Sequence, residues 1–291
     1  LQIAYYPGCS LHAFSELYDI QCKKVLKQLG LELKEIEDWN CCGATSAGKT
    51  DDFLAVALPA RNLGIADASG LSVMLIPCSS CYNRTLVSQK MLSEDLELKN
   101  KINAQLSRKV QGKIKISSIL DILVSKVNSG EIEEKSMKKL EGLKPACYYG
   151  CLLTRFPHDI QISDNIENPQ GMEIVCKALG AEPLDWSYKT DCCGASATIN
   201  DTDTSLFLMA QIIRDALARG GNCFVTTCPM CQMNLDAYQN QVCKRYGIQK
   251  NLPVFFITEP LGIAMGFSPQ EMQIDRHFMD AFGLLKELKL V

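Results

Sequence analysis

Leu71-Ser72-Val73-Met74-Leu75-Ile76-Pro77-Cys78-Ser79-Ser80-Cys81 is the stretch that decides the fold. Residues 73–76 are apolar and rich in strand formers, so they read as a buried strand. A C-x-x-C pair follows at once, with a helical stretch behind it. Gly221-Asn222-Cys223-Phe224-Val225-Thr226-Thr227-Cys228-Pro229-Met230-Cys231 repeats that arrangement 150 residues later. A third such strand, 3–6, runs into Pro7-Gly8-Cys9. Strands that alternate with helices imply parallel βαβ units. In open α/β sheets, ligands sit at the carboxyl edge of the strands, which is where these cysteines fall.

Working outward, the repeat takes in the whole chain. The first half reads Tyr6-Pro7-Gly8-Cys9, Cys41-Cys42-Gly43-Ala44 and Cys78-Ser79-Ser80-Cys81. The second reads Tyr149-Gly150-Cys151, Cys192-Cys193-Gly194-Ala195 and Cys228-Pro229-Met230-Cys231. The offset is 142 residues at the first cysteine and 150 or 151 later, which places about eight extra residues within 156–171. Val25-Leu26-Lys27-Gln28-Leu29-Gly30 matches Val175-Cys176-Lys177-Ala178-Leu179-Gly180, and both read as a helix end closed by glycine. Short β-rich runs at 113–116 and 254–257 close the two units. The expected fold is α/β, with two pseudo-symmetric repeats, each a small parallel-sheet unit carrying a metal site at its strand edge. The boundary is expected in the charged segment 126–144, read as a solvated connector, dividing the chain into 1–143 and 144–291.

Composition narrows the function. The chain has 291 residues, 47% of them apolar and 22% charged, with a formal net charge of −3. That content excludes disorder as its main character, and there is no basic excess to meet phosphates, so no nucleic-acid partner is expected. No apolar run approaches the ~18 residues of a membrane span. Residues 2–6 pass straight into a strand-like segment and a cysteine, so no export signal is expected. Fifteen cysteines in a chain of this length, without such a signal, point to a cytoplasmic metal-binding protein rather than a disulfide scaffold.

Each half offers five motif thiols. C-x-x-C lets two sulfurs face one centre across a tight turn, although a thioredoxin-like redox pair has the same spacing. Adjacent side chains in extended backbone point opposite ways, so a Cys-Cys pair serves one site only if the chain turns there; the glycine that follows permits it. A vicinal disulfide is the less favoured alternative. A four-cysteine zinc site or a cubane cluster needs four thiolates. The fifth is therefore either spare or the mark of an unusual cluster. Cys22, Cys147, Cys176, Cys223 and Cys243 are read as buried non-ligands, because Cys147, Cys176 and Cys223 align with Tyr5, Leu26 and Val73. Cys147 lies only four residues before Cys151, so a role for it stays open.

At these residues the chain resembles the CCG cysteine-rich domain family. Two tandem copies filling the chain resemble the B subunits of heterodisulfide reductases from methanogenic archaea. The resemblance implies two noncubane [4Fe-4S] clusters, one on Cys9, Cys41, Cys42, Cys78 and Cys81, the other on Cys151, Cys192, Cys193, Cys228 and Cys231. It implies reduction of the coenzyme M–coenzyme B heterodisulfide. The symmetry of the two halves suggests that each cluster takes one sulfur and gives one electron, with thiol–disulfide exchange by a cysteine as the competing mechanism. The resemblance also implies partners: a ferredoxin-like C subunit, then a flavin-containing A subunit and a hydrogenase or formate dehydrogenase. The ferredoxin-like cysteine segment of some relatives is missing here, and no dinucleotide fingerprint is present, so electrons must come from another protein of the complex. The gap from Cys9 to Cys41 is nine residues shorter than that from Cys151 to Cys192, so the sites are expected to differ in shape or access.

His12, Lys49, Arg84, Arg155, His158 and Lys189 lie near the motifs and are candidates for contacts to an anionic substrate or for proton delivery. Thr154 stands where the first half has His12, and Ala13 where the second has Arg155, an asymmetry suited to a substrate with unlike ends. His277 is read as outside the chemistry. Trp39 and Trp186 precede the two Cys-Cys pairs as walls or as core. Three other readings stand beside this one: an iron–sulfur electron-transfer subunit of a hydroxy-acid oxidase or fumarate-reductase-like complex, a structural zinc protein, and a metal-free thiol oxidoreductase.

Overall fold

The computed structural model describes residues 1–44, 46–156 and 160–291. Strands β1 (Gln2–Tyr5), β2 (Glu32–Glu35), β3 (Val73–Leu75) and β4 (Lys115–Ser117) form one wholly parallel sheet in the order β2-β1-β3-β4. Strands β5 (Pro145–Tyr148), β6 (Cys223–Thr226) and β7 (Val254–Phe256) form a second, in the order β5-β6-β7. Parallel neighbours require crossovers, and helices supply them. Strands β5, β6 and β7 are buried along their whole length, as strands of a parallel sheet covered on both faces are.

The sequence reading has no strand between the first long helix and the first Cys-Cys pair; the structure places β2 there. Its residues Glu32-Leu33-Lys34-Glu35 are charged because it is an edge strand, paired only with β1. The second half follows the same path without forming a strand. Glu182 N donates to Leu143 O (2.8 Å) and Leu184 N to Pro145 O (3.0 Å), as Glu32 N does to Leu1 O (2.9 Å). Pro183 between them has no N–H to offer, which an edge tolerates.

The halves exchange helices. Helix Ile119–Asn128, after β4, packs on helix Gly171–Ala178 of the second half. Helix Thr258–Ala264, after β7, packs on helix Glu16–Gln28 of the first. The first of these is started by a reciprocal cap: Asp121 N donates to Ser118 Oγ (3.1 Å) and Ser118 N to Asp121 Oδ2 (2.7 Å). The second brings Phe256 flat against Tyr18, ring centroids 4.0 Å apart, and joins Thr258 Oγ1 to Gln21 Oε1 at 2.9 Å. One apolar core therefore runs through both halves, while a smaller one is built entirely from the second. The charged segment 126–144 holds the short helix Glu131–Lys135, with Ile132, Leu140 and Leu143 buried beneath its charges. Of the extra length, 157–159 lie outside the described residues; 160–170 form no helix or strand, and the Asp164 carboxylate caps the next helix by accepting from Gln170 N and Gly171 N.

Candidate functional site

Each half gathers its five motif cysteines at the carboxyl edge of its sheet. Cys9 follows β1, and Cys151 follows β5. Cys78 and Cys228 are the N-cap residues of helices Ser79–Glu94 and Pro229–Ala237, so Cys81 and Cys231 lie in the first turns. A helix N-terminus favours anions, thiolates included. The Cys-Cys pairs come from loops that turn at Gly43 (φ +79°) and Gly194 (φ +78°), as the motif predicts.

The sulfurs converge. Cys9 and Cys41 Sγ are 3.8 Å apart, Cys42 and Cys81 3.3 Å, and Cys193 and Cys231 3.7 Å. Two sulfurs on one tetrahedral metal, at ~2.3 Å each, stand about 3.8 Å apart. Room is made by missing side chains: a Cβ on Gly8 (φ +72°) would lie 2.7 Å from Cys81 Sγ, and one on Gly150 (φ +66°) 2.9 Å from Cys231 Sγ. The hydroxyls of Tyr6 and Tyr148 fix the loops, donating to the carbonyls just before the pairs, Asn40 O (2.9 Å) and Asp191 O (2.6 Å). Sequence reading missed this role; the repeat contained the signal, because Tyr148 stands where the first half has Tyr6.

Thiols packed this closely share protons. A hydrogen bond from Cys41, then one from Cys81, pulls Cys42 down to about 3, while Cys41 is raised. In the second half a hydrogen bond from Cys151 brings Cys192 down to about 6, and one from Cys231 lowers the buried Cys193. Each half thus holds ready thiolates, the form that binds metal. Among the described residues no three His, Cys, Asp or Glu side chains close on a point as a single ion would require. The Tyr18 hydroxyl is fully buried, with Cys22 first and then Cys78 and Cys228 within electrostatic reach of it.

The sites lie side by side. Ser79 Oγ and Thr227 Oγ1, the neighbours of Cys78 and Cys228, are 3.5 Å apart. Asn83, two residues past Cys81, donates to Leu152 O (2.8 Å) and Arg155 O (3.0 Å) and so holds the loop that carries Cys151. The pairing is uneven at the surface: Cys9 and Cys41 are exposed, whereas Cys151 and Cys192 are half-buried.

The family model of the CCG cysteine-rich domain matches residues 3–84 and again 146–236. The chain belongs to the CCG cysteine-rich domain family. Among curated relatives of this CCG protein, the membrane anchor subunit of the 8-methylmenaquinol:fumarate reductase of Wolinella succinogenes is 31% identical over 286 residues, 97% of this chain and 99% of the relative. The B subunit of the ferredoxin:CoB-CoM heterodisulfide reductase of Methanosarcina mazei is 26% identical over 272 residues, 91% of this chain and 90% of the relative. The crystal structure of a hypothetical protein from Helicobacter pylori shares the fold, with a TM-score of 0.72 at 14% identity, over 95% of this chain and 51% of that one. Along about nine-tenths of its length the chain is similar to heterodisulfide reductase B subunits and a B-like protein. No helix among the described residues is long and apolar enough to cross a membrane.

The remaining candidates divide. His12 Nε2 stands 3.2 Å from Glu35 Oε1 with its ring edge-on to Trp39, whose Nε1 donates to the same oxygen (2.9 Å). Arg84 Nε donates to Ala44 O (2.8 Å). Lys49 is exposed on the short helix after the first Cys-Cys pair; Arg155 is exposed and within electrostatic reach of Cys192. His158 lies outside the described residues. Lys189 is 4% exposed, and its ammonium is taken up by Glu173 Oε1 (2.7 Å), Asn168 Oδ1 and Pro169 O (both 3.2 Å). Tyr149 donates to the other oxygen of Glu173. Burial demands this pairing, and it leaves no free charge for a bound molecule. Cys147, Cys176 and Cys223 meet in the core between β5, β6 and helix Gly171–Ala178, away from solvent. Cys22 and Cys243 are buried on helices. Trp186 is core, with Nε1 donating to Cys147 O (3.2 Å). His277 is buried against Glu259 (2.7 Å).

Proposed function

We propose that this chain is the cluster-bearing catalytic subunit of a disulfide oxidoreductase complex, reducing the coenzyme M–coenzyme B heterodisulfide to two thiols. The observation that carries the reading is the 3.5 Å contact between Ser79 and Thr227, which brings the two cysteine sites side by side. Splitting an S–S bond takes two electrons, and two adjacent one-electron centres can share that work. The relatives that are B subunits of CoB-CoM heterodisulfide reductases support the substrate.

In this reading Cys9, Cys41, Cys42, Cys78 and Cys81 hold one noncubane [4Fe-4S] cluster, and Cys151, Cys192, Cys193, Cys228 and Cys231 the other. When bound, the clusters supply the electrons and a seat for each sulfur. With all ten thiolates committed as ligands, none is left to attack the substrate by exchange. Lys49 and Arg155, exposed and in no ion pair among the described residues, are placed to meet anionic groups. Glu35 holds the His12 ring through Nε2, which leaves Nδ1 as the nitrogen able to pass a proton on. Electrons enter from a ferredoxin-like C subunit, fed by a flavin-containing A subunit and a hydrogenase or formate dehydrogenase, in the cytoplasm. The units divide at 143/144, and no nucleic acid takes part.

The Wolinella relative favours a second reading, an iron–sulfur electron-transfer subunit of a fumarate-reductase-like or hydroxy-acid oxidase complex. Anaerobic protein with a reduced viologen dye and the heterodisulfide separates the two. Release of both thiols supports the first reading. Metal-loaded protein that exchanges electrons with the dye but leaves the disulfide intact supports the second.

A further inference from the structure

The two sites share geometry but not charge. Three residues past the second cysteine of each C-x-x-C, one side chain reaches over to hold the Cys-Cys loop. In the first half it is Arg84, on Ala44 O at 2.8 Å; in the second it is Asn234, whose Nδ2 donates to Cys193 O, also at 2.8 Å. The bonds are alike, but one donor is a cation and the other a neutral amide. Arg84 is partly buried, pinned by its bond, and faces no carboxylate in an ion pair among the described residues. Ala44, which it grips, has a left-handed φ of +36° that an alanine seldom adopts unaided.

A second matched position differs in the same sense. Asn40 precedes the first Cys-Cys pair, and Asp191 precedes the second. The carbonyl of each receives the tyrosine hydroxyl, but only Asp191 adds a negative charge beside its site. The neighbouring charges are paired at the first site and exposed at the second. Arg61 near Asn40 is paired with Asp38 (2.5 Å), and Glu35 is shared between His12 and Lys23. Arg155 acts on Cys192 more strongly than Asp191 does, but it is exposed and held by no ion pair among the described residues, whereas Arg84 is pinned; the fixed part of the difference is therefore Arg84 against Asn234, with Asp191 the smaller contribution.

We propose that the two sites are electronically unequal, the first having the higher reduction potential, and that Arg84 and Asp191 are the positioning residues that separate them. This rests on the reading that both sites hold a redox-active metal group. Reduction adds negative charge, which a fixed cation favours and a carboxylate opposes; the greater exposure of Cys9 and Cys41 acts in the same direction. Electrons then collect at the first site before the second.

The test is a spectroscopic redox titration of the full chain, purified without air. Wild type is expected to show two one-electron transitions. R84Q lowers the upper one by about 59 mV or more, a tenfold change in a one-electron equilibrium, and leaves the lower one in place. R84K, which keeps the charge but not the fork, stays near wild type. D191N, close to isosteric, raises only the lower transition. Loaded protein in which R84Q and D191N leave both transitions unmoved, or in which R84K falls as far as R84Q, overturns the proposal. Wild-type protein with zinc and no redox transition overturns the proposed function itself, a separate and recognisable failure.

Discussion

The first and second halves keep the same glycines, the same tyrosine-to-carbonyl bonds and the same cysteine positions, yet differ in almost every charge around them. Gly8 and Gly150 clear space for a sulfur, and Tyr6 and Tyr148 hold the Cys-Cys loops. Arg84 and Asn40 face Asn234 and Asp191 at matched places. Duplication thus fixes what positions the sulfurs and leaves the electrostatics free to diverge. The largest expected effects come from disturbing the shared part. Gly8→Ala puts a Cβ 2.7 Å from Cys81 Sγ, and Gly150→Ala puts one 2.9 Å from Cys231 Sγ, both at positive φ. Each variant should lose about half of the bound metal, from its own half, by metal analysis. Loss of all metal in either would show that the sites assemble together.

Next in size is the buried pair of the second half. Lys189→Met leaves Glu173 charged and unpaired inside the protein and should cost about 3–5 kcal/mol in denaturant unfolding. The comparable tyrosine–carboxylate–lysine chain of the first half, Tyr5–Asp19–Lys23, has its lysine 44% exposed, so Lys23→Met should cost no more than about 1 kcal/mol. Equal losses would break the contrast.

His277 gives a smaller effect with a defined pH dependence. Burial acts to lower its pKa, but Glu259 and Asp236 outweigh that and hold it at about 9, above the usual 6.5. A folded-state pKa raised in this way stabilises fully below the unfolded value and is lost as pH rises through the folded one. Its contribution, about 3 kcal/mol at most, should be complete at pH 6 and mostly gone by pH 9.5. His277→Gln should remove that slope from denaturant midpoints measured across the window. The smallest effect tests the shared bond: Tyr6→Phe and Tyr148→Phe should each cost about 1 kcal/mol, and by similar amounts.

Much of this was legible in the sequence. Apolar runs ending at cysteines marked β1, β3 and β6, and the repeat marked the helix ends at Gly30 and Gly180, both left-handed. Strand β2 was not legible, because an edge strand such as Glu32–Glu35 has one solvated side and lacks an apolar run. The fate of Lys189 was hidden as well: its partner Glu173 lies 16 residues away, and only the fold shows that both are buried. The reciprocal helix exchange, and with it the meeting of Ser79 and Thr227, depends on contacts across about half the chain that no local pattern records.

The central claim is that each half binds a four-iron cluster on its five cysteines. Iron, zinc and acid-labile sulfide per chain, measured on protein purified without air, test it most directly. The account predicts about eight irons and eight sulfides. Zinc without sulfide would contradict it.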